Sequence, residues 1–306
     1  MSVARHGWTE RLPAGRIAYV NGRYVPHSAA AVHIEDRGLQ FADAIYEVVG
    51  VAGGQFLDEE EHLDRLERSV GEIGMATPMP RAPLKLVLRE MARRNHVHDG
   101  LIYLQVTRGA VRRDHAVPDR APRPTLIVTA RTLDPIATKQ RRLTGVRVIT
   151  RPDERWARRD IKSTALLPNI LAKTAARHAG AFEAWLVDEE GFVTEGASTS
   201  AWIIDADGHV VTRDLSNAIL PGVTRRVILK AAAEAQLPIV ERKFTLAEAL
   251  AGREAFMTAA TLGATAIVAV DGRTIGDGKP GPITQRIQEL YAHVAEIHEK
   301  SGKPGL

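Results

Sequence analysis

Of the nine lysines in the chain, Lys162 has the most suggestive surroundings, in Arg158-Arg159-Asp160-Ile161-Lys162-Ser163 just before a segment that leads into a helix. Neighbouring guanidiniums and partial burial lower an amine's pKa, and a lowered pKa is what a Schiff-base lysine requires. The competing reading is a surface lysine beside a surface Asp160. Glu195, in Thr194-Glu195-Gly196, ends a strand before a turn, where a carboxylate either faces water or points inward at a buried cation. In Leu220-Pro221-Gly222-Val223-Thr224-Arg225 a glycine opens a helix beside a hydroxyl, and free N–H groups at a positive dipole end make a seat for phosphate. An ordinary capped helix has the same local pattern. Arg65, in His62-Leu63-Asp64-Arg65-Leu66, borders a helical stripe and is either a solvated face residue or an internal phosphate ligand.

Other chemistries lack their residues. The 306-residue chain has no cysteine, which removes disulfides, thiolate nucleophiles, iron–sulfur clusters and zinc sites that need sulfur. No GxGxxG, P-loop, HExxH or GxSxG occurs, and the eleven histidines offer no i, i+4 pair; His293 and His298 are five apart. The net charge of +4 is small, and the five arginines between Arg108 and Arg123 are diluted by three prolines and two aspartates in or beside that stretch. No nucleic-acid partner is expected from that pattern. No apolar run reaches the length of a membrane span and the first 15 residues carry no apolar targeting segment, so no membrane partner and a cytoplasmic location are expected.

The elements that must position these residues follow from periodicity. Asn21-Gly22 between IAYV and RYV predicts a two-residue hairpin, and Ala44 to Val51 with Gln55 to Leu57 around Gly53-Gly54 a second. Leu63, Leu66, Val70 and Ile73 form one helical stripe; Leu84, Val87, Leu88 and Met91 form another, opened by Pro83. Strands are expected over 101–107 and 125–130, then 145–150, 182–187, 192–194 and 200–204, around Phe256, and over 266–270. Helices are expected over 168–179, 224–235 and 282–299. Residues 131–142 lose periodicity and carry Pro135, as an interdomain linker would. The chain therefore reads as an α+β protein: a small N-terminal domain over 1–131, a linker over 132–142, and a larger β-rich domain with flanking helices over 143–306.

Taken in this order, the pieces resemble the fold-type IV pyridoxal-phosphate enzymes, and within them the D-amino acid aminotransferases, from the NGRYV hairpin to GRTIGDGKPGPIT. The resemblance implies a cofactor, pyridoxal 5′-phosphate, at the domain interface. It implies that Arg65 of H-x-D-R-L binds its phosphate with Val223, Thr224 and Thr261, that Lys162 of D-I-K forms the Schiff base, and that Glu195 of E-G pairs with the pyridinium nitrogen, with Ser198 beside it. It further implies a carboxylate trap of Tyr46, in Ile45-Tyr46-Glu47-Val48-Val49, with Arg113 and His115 reaching across a homodimer interface. The activity implied is ping-pong transfer of nitrogen from D-alanine-like amino acids to 2-oxo acids such as 2-oxoglutarate or pyruvate. Same-fold alternatives are branched-chain L-amino acid aminotransferase, (R)-selective amine transaminase and aminodeoxychorismate lyase; from another class, a non-catalytic phosphate-binding module would use Arg65, Gly222 and Arg225. Two departures from the family pattern, Ser200 where asparagine is usual and Ala259-Ala260 where hydroxyls are commoner, predict weaker cofactor binding. The N-terminal extension of about 15 residues has no counterpart in the pattern.

Overall fold

The computed structural model of the protein describes residues 15–300, the side chains of 293–300 excepted, so residues 1–14 of the N-terminal extension lie outside the described residues. The chain opens with β1 (Ile17–Val20) and β2 (Arg23–Pro26), paired antiparallel. Asn21 and Gly22 both take positive φ, 47° and 91°, as a type I′ turn demands. A single-turn helix α1 (Arg37–Phe41), capped by Asp36, precedes β3 (Ala44–Ala52), β4 (Gln55–Phe56), α2 (Glu59–Glu72), α3 (Arg81–Arg94), β5 (Gly100–Thr107) and β6 (Thr125–Thr132). Pro83 lies in the first turn of α3 rather than opening it, at a place where a missing N–H costs no intrahelical bond.

These strands form one antiparallel sheet in the order β2-β1-β6-β5-β3-β4. Alternation divides its faces. Ile45, Val49, Ile102, Leu104, Val106 and Val128 point toward α2 and α3 and make the first core with Leu63, Leu66, Leu88 and Met91. Tyr46, Val48, Leu101, Tyr103, Thr129 and Arg131 occupy the other face, which floors a cavity.

Most of the stretch expected to be an irregular linker, 132–142, forms a helix that runs on past it, α4 (Pro135–Thr144). Its ends specify it: Asp134 accepts from the N–H groups of Ile136 and Ala137, Pro135 holds the first turn, and Gly145 closes it at φ 69°. No residue of α4 is buried, so no apolar period exists for a sequence reading to detect.

The second half builds a nine-stranded sheet. In chain order the elements are β7 (Val146–Pro152), α5 (Leu167–His178), β8 (Glu183–Val187), β9 (Val193–Gly196), β10 (Ser200–Ile204), β11 (Val210–Thr212), α6 (Val223–Glu234), β12 (Ile239–Glu241), α7 (Leu246–Ala251), β13 (Glu254–Ala259), β14 (Gly263–Val270), β15 (Arg273–Thr274) and α8 (Pro282–Lys300). The sheet runs β12-β11-β10-β13-β14-β7-β8-β9, with β15 on β14, and mixes parallel and antiparallel pairs. Trp185, Phe244 and Ile203 centre the core on one side, and Trp202 stacked on Phe256 centres the core under α6 and α8. With helices and two separate sheets the architecture is α+β. Among the described residues no helix is long and apolar enough to cross a membrane.

Candidate active site

The two sheets are stitched together by the segment that carries Lys162. β4 pairs only with the far end of β3, leaving the first half of β3 with a free edge. Residues 162–164 occupy that edge: Tyr46 N–H donates to Lys162 C=O at 3.0 Å, Thr164 N–H donates to Ala44 C=O at 3.0 Å, and Ser163 bridges Ile45. Lys162 Nζ lies 4.3 Å from the centroid of the Tyr46 ring, inside a cavity of about 510 Å³ between the sheets. Asp160 does not pair with Lys162; it is buried and taken by Arg68 (2.6 Å) and Arg158 (2.9 Å). That removes the reading of a surface lysine beside a surface Asp160 and leaves Lys162 half-buried, its amine facing the cavity with no hydrogen bond or ion pair among the described residues.

Arg65, Glu195, Ser198, Val223, Thr224 and Thr261 line the same cavity, with Tyr46. Arg65 is buried rather than solvated, because Glu47 grips it with two bonds, Nε to Oε1 at 2.7 Å and Nη2 to Oε2 at 2.8 Å. Its Nη1 donates to Pro221 C=O at 3.1 Å, tying α2 to the start of α6. His62 Nδ1 meets the same carboxylate at 2.8 Å. Burial alone would push the Glu47 carboxyl up, but the Arg65 and His62 side chains hold it down at about 2. At the start of α6, Gly222 stands at the N-cap without a side-chain cap, and no acidic residue lies in the first turn. A Cβ at Gly222 would come within 2.9 Å of Ser200 Oγ and 3.2 Å of Arg225 Cβ, so the two segments approach closely there. A guanidinium, the first-turn amides of α6 and the hydroxyls of Thr224 and Thr261 together form a donor set suited to a phosphate monoester.

At the other end of the cavity Glu195 is buried against Arg155 and accepts from the N–H of Leu220 at 3.2 Å and 3.3 Å. Burial pushes its carboxyl above the usual range, and Arg155 only partly offsets this. Arg155 is itself fixed by Asp153 through bonds of 2.9 Å and 2.8 Å. Such a carboxylate, half-neutralised and out of water, accepts a second cation or N–H readily. Glycine follows at 196 because a Cβ there would collide with Thr199 Oγ1. Ser198 reaches the cavity wall, but its hydroxyl donates to Glu183 at 2.6 Å.

Arg113 and His115 do not line the cavity of their own chain. They sit on an exposed loop against Phe41, the guanidinium over its ring 4.9 Å from the centroid and the imidazole tilted against it at 5.3 Å. The loop is pinned: buried Arg37 donates to the carbonyls of Asp114 (2.6 Å), His115 (3.1 Å) and Ala116 (3.3 Å), and its Nε pairs with Asp43 at 2.7 Å. Arg108 shares Asp43 at 2.7 Å, and the two arginines hold that carboxyl below its ordinary range despite burial.

Sequence reasoning missed Glu47, Arg155, Arg37 and Asp43. Glu47 had a signal: it falls on the same strand face as Ile45, Val49 and Val51, and one charge in an apolar row needs a buried partner. The others had none: Arg155 and Asp43 take their links to Glu195 and Arg108 across 40 and 65 residues, and Arg37 reaches loop carbonyls 77 to 79 residues away.

Residues 44–270 match the model of the amino-transferase class IV family. The chain is 39% identical to a D-alanine aminotransferase of Bacillus licheniformis over 268 residues, covering 88% of this chain and 93% of the relative. It is 39% identical to one of Listeria monocytogenes over 285 residues, covering 93% and 97%. Among solved structures, the branched-chain amino acid aminotransferase of Escherichia coli superimposes with a TM-score of 0.84 at 22% identity, covering 92% of this chain and 94% of that one. The T.th. branched-chain amino acid aminotransferase, solved with pyridoxamine 5′-phosphate, does so with 0.84 at 24%, covering 94% and 96%. The chain therefore belongs to the class IV aminotransferases, enzymes of the fold-type IV architecture that transaminate amino acids with pyridoxal 5′-phosphate.

Proposed function

We propose that this cavity transaminates D-amino acids of the D-alanine kind, with a 2-oxo acid such as 2-oxoglutarate or pyruvate taking the nitrogen. The observation that carries the reading is the uncommitted Lys162 amine 4.3 Å from the Tyr46 ring, between a phosphate-type donor set and a buried carboxylate. The relatives at 36–39% identity bear the name D-alanine aminotransferase, which supports the D configuration.

Pyridoxal 5′-phosphate, when bound, supplies an aldehyde for amines and a protonated ring that accepts the electron pair released at the substrate Cα. Arg65, the amides of Val223 and Thr224, and Thr261 hold its phosphate; Glu195 keeps the proton on its ring nitrogen, with Arg155 fixing the carboxylate, and Ser198 adds a contact at the ring. Lys162 is the amine that would anchor the aldehyde, and as a free amine it would move the proton to and from the substrate Cα. The ring of Tyr46 beneath the amine limits its hydration and keeps it aimed.

The substrate carboxylate is held by Tyr46 with Arg113 and His115 of a second copy of this chain. Their loop is rigid yet turned away from its own cavity, and Leu39, Trp156, Leu167, Ile170 and Leu171 are large apolar side chains left exposed, as a homodimer surface would be. In this reading residues 1–131 and 143–306 are the two domains that close on the cofactor. The branched-chain reading has the fold likeness in its favour but gives the Arg113-x-His115 pair no role.

The test is the absorbance spectrum of the purified holoenzyme mixed in parallel with D-alanine, L-leucine and (R)-1-phenylethylamine. Bleaching of the visible cofactor band by D-alanine alone supports the proposal. Bleaching by L-leucine or by the amine in its place overturns it in favour of a sister activity.

A further inference from the structure

Five arginines line the cavity, and four are already committed. Arg65 is paired with Glu47, Arg155 with Asp153 and Glu195, Arg159 with Asp153, and Arg225 with Glu241. The side chain of the fifth, Arg131, has no hydrogen bond or ion pair among the described residues, and it is exposed at the mouth of the cavity. The one carboxylate that lines the cavity among the described residues, Glu195, is paired with Arg155. A cation without a partner on the wall of a binding site is an anion receptor.

The register fixes where Arg131 stands relative to the reacting amine. On the floor face of the sheet, Val48 on β3 pairs with Tyr103 on β5, Tyr103 with Thr129 on β6, and Leu101 with Arg131. The Tyr103 ring stacks on that of Tyr46 at 5.7 Å, and Lys162 Nζ lies above Tyr46. Arg131 is therefore the diagonal neighbour of Tyr103, a step of about 7–8 Å that a long side chain spans. Going along the strands from Tyr46, under the amine, the floor presents a row of Val48, Tyr103 and Thr129, then a row of Leu101 and Arg131. That order matches a reacting carbon, a short methylene spacer and a terminal carboxylate.

We propose that Arg131 is a specificity-determining residue that holds the side-chain carboxylate of a short dicarboxylic substrate, an acidic amino acid or the corresponding 2-oxo diacid. Pyruvate and alanine end before reaching it. The inference rests on Lys162 being the reacting amine, as proposed above, and is independent of which enantiomer reacts.

The experiment compares wild-type holoenzyme with Arg131→Leu and Arg131→Lys in two ways. Half-reaction kinetics with 2-oxoglutarate against pyruvate should show the apparent KM for the diacid rising about tenfold or more in Arg131→Leu, with pyruvate changed by less than about twofold and Arg131→Lys between the two. Calorimetry with the unreactive pair glutarate and butyrate should show the same split, with glutarate losing its advantage in Arg131→Leu. Equal losses for diacid and monoacid, or no change for either, overturn the assignment, as does wild-type enzyme that binds glutarate no better than butyrate. If D-amino acids are not turned over at all, the D-amino acid reading fails, while the glutarate and butyrate comparison still decides Arg131.

Discussion

The main-chain N–H of Tyr46 donates to the carbonyl of Lys162 at 3.0 Å, so the residue that floors the cavity and the residue that supplies its amine are cross-strand neighbours. One belongs to the first sheet, and the other extends the free edge of that sheet from the second half of the chain. The pairing fixes the two Cα positions as neighbours, and from them the Lys162 side chain brings its amine to 4.3 Å from the Tyr46 ring centroid. Replacing Lys162 by alanine leaves this main-chain bond in place. Turnover should fall at least ~10⁴-fold, with the visible cofactor band lost and the unfolding midpoint nearly unchanged. Normal turnover in this variant would discard Lys162 as the reacting amine.

Glu195→Gln keeps the shape of the side chain but removes its charge, leaving Arg155 with Asp153 alone. Turnover should drop by roughly 10²-fold while cofactor affinity changes much less, because the phosphate contacts are elsewhere. Stopped-flow half-reactions and cofactor titration separate the two effects. A variant that loses affinity but keeps its rate assigns Glu195 to binding only.

Arg37→Ala cuts three bonds to the loop carbonyls of Asp114, His115 and Ala116. If Arg113 and His115 trap a carboxylate in the partner's site, the KM for amino acids should rise about tenfold, with kcat within about threefold. Trypsin should also cleave after Arg112, Arg113 or Arg120 sooner than in the wild type. Faster cleavage with unchanged KM would place the carboxylate trap away from this loop.

Glu47 sets an acid limit on the fold. Its carboxyl is held at about 2, below its usual 4.5, by Arg65 and His62 against the cost of burial. A depressed folded pKa contributes stability that is fully present above the unfolded value and is lost as pH falls from about 4.5 through about 2. The contribution at stake is roughly 3 kcal/mol. Urea unfolding at neutral pH and at pH 3 should show roughly 2 kcal/mol of that loss in the wild type, the remainder falling below pH 3. Glu47→Gln should be less stable by roughly 3–5 kcal/mol at neutral pH, because it leaves Arg65 buried without a counter-charge, and its midpoint should depend less on acid. An equally steep acid dependence in the variant would assign the acid limit to other carboxylates.

The sequence by itself determined what depends on short-range signals. Asn21-Gly22 forced its hairpin, the stripes from Leu63 and Leu84 their helices, and the glycine at 222 marked a helix start. These are readable because turn torsions and apolar periods are local properties of the chain. Tertiary structure decided the rest. It turned Arg65 from a residue on a helix border into a buried fork by pairing it with Glu47 from another element, gave Asp160 to Arg68 and so freed Lys162, and bound the Arg113 loop to Arg37. Each of these depends on which charges meet after the chain has folded, and partners separated by up to 92 residues in Arg68 and Asp160 leave no pattern in the order of residues.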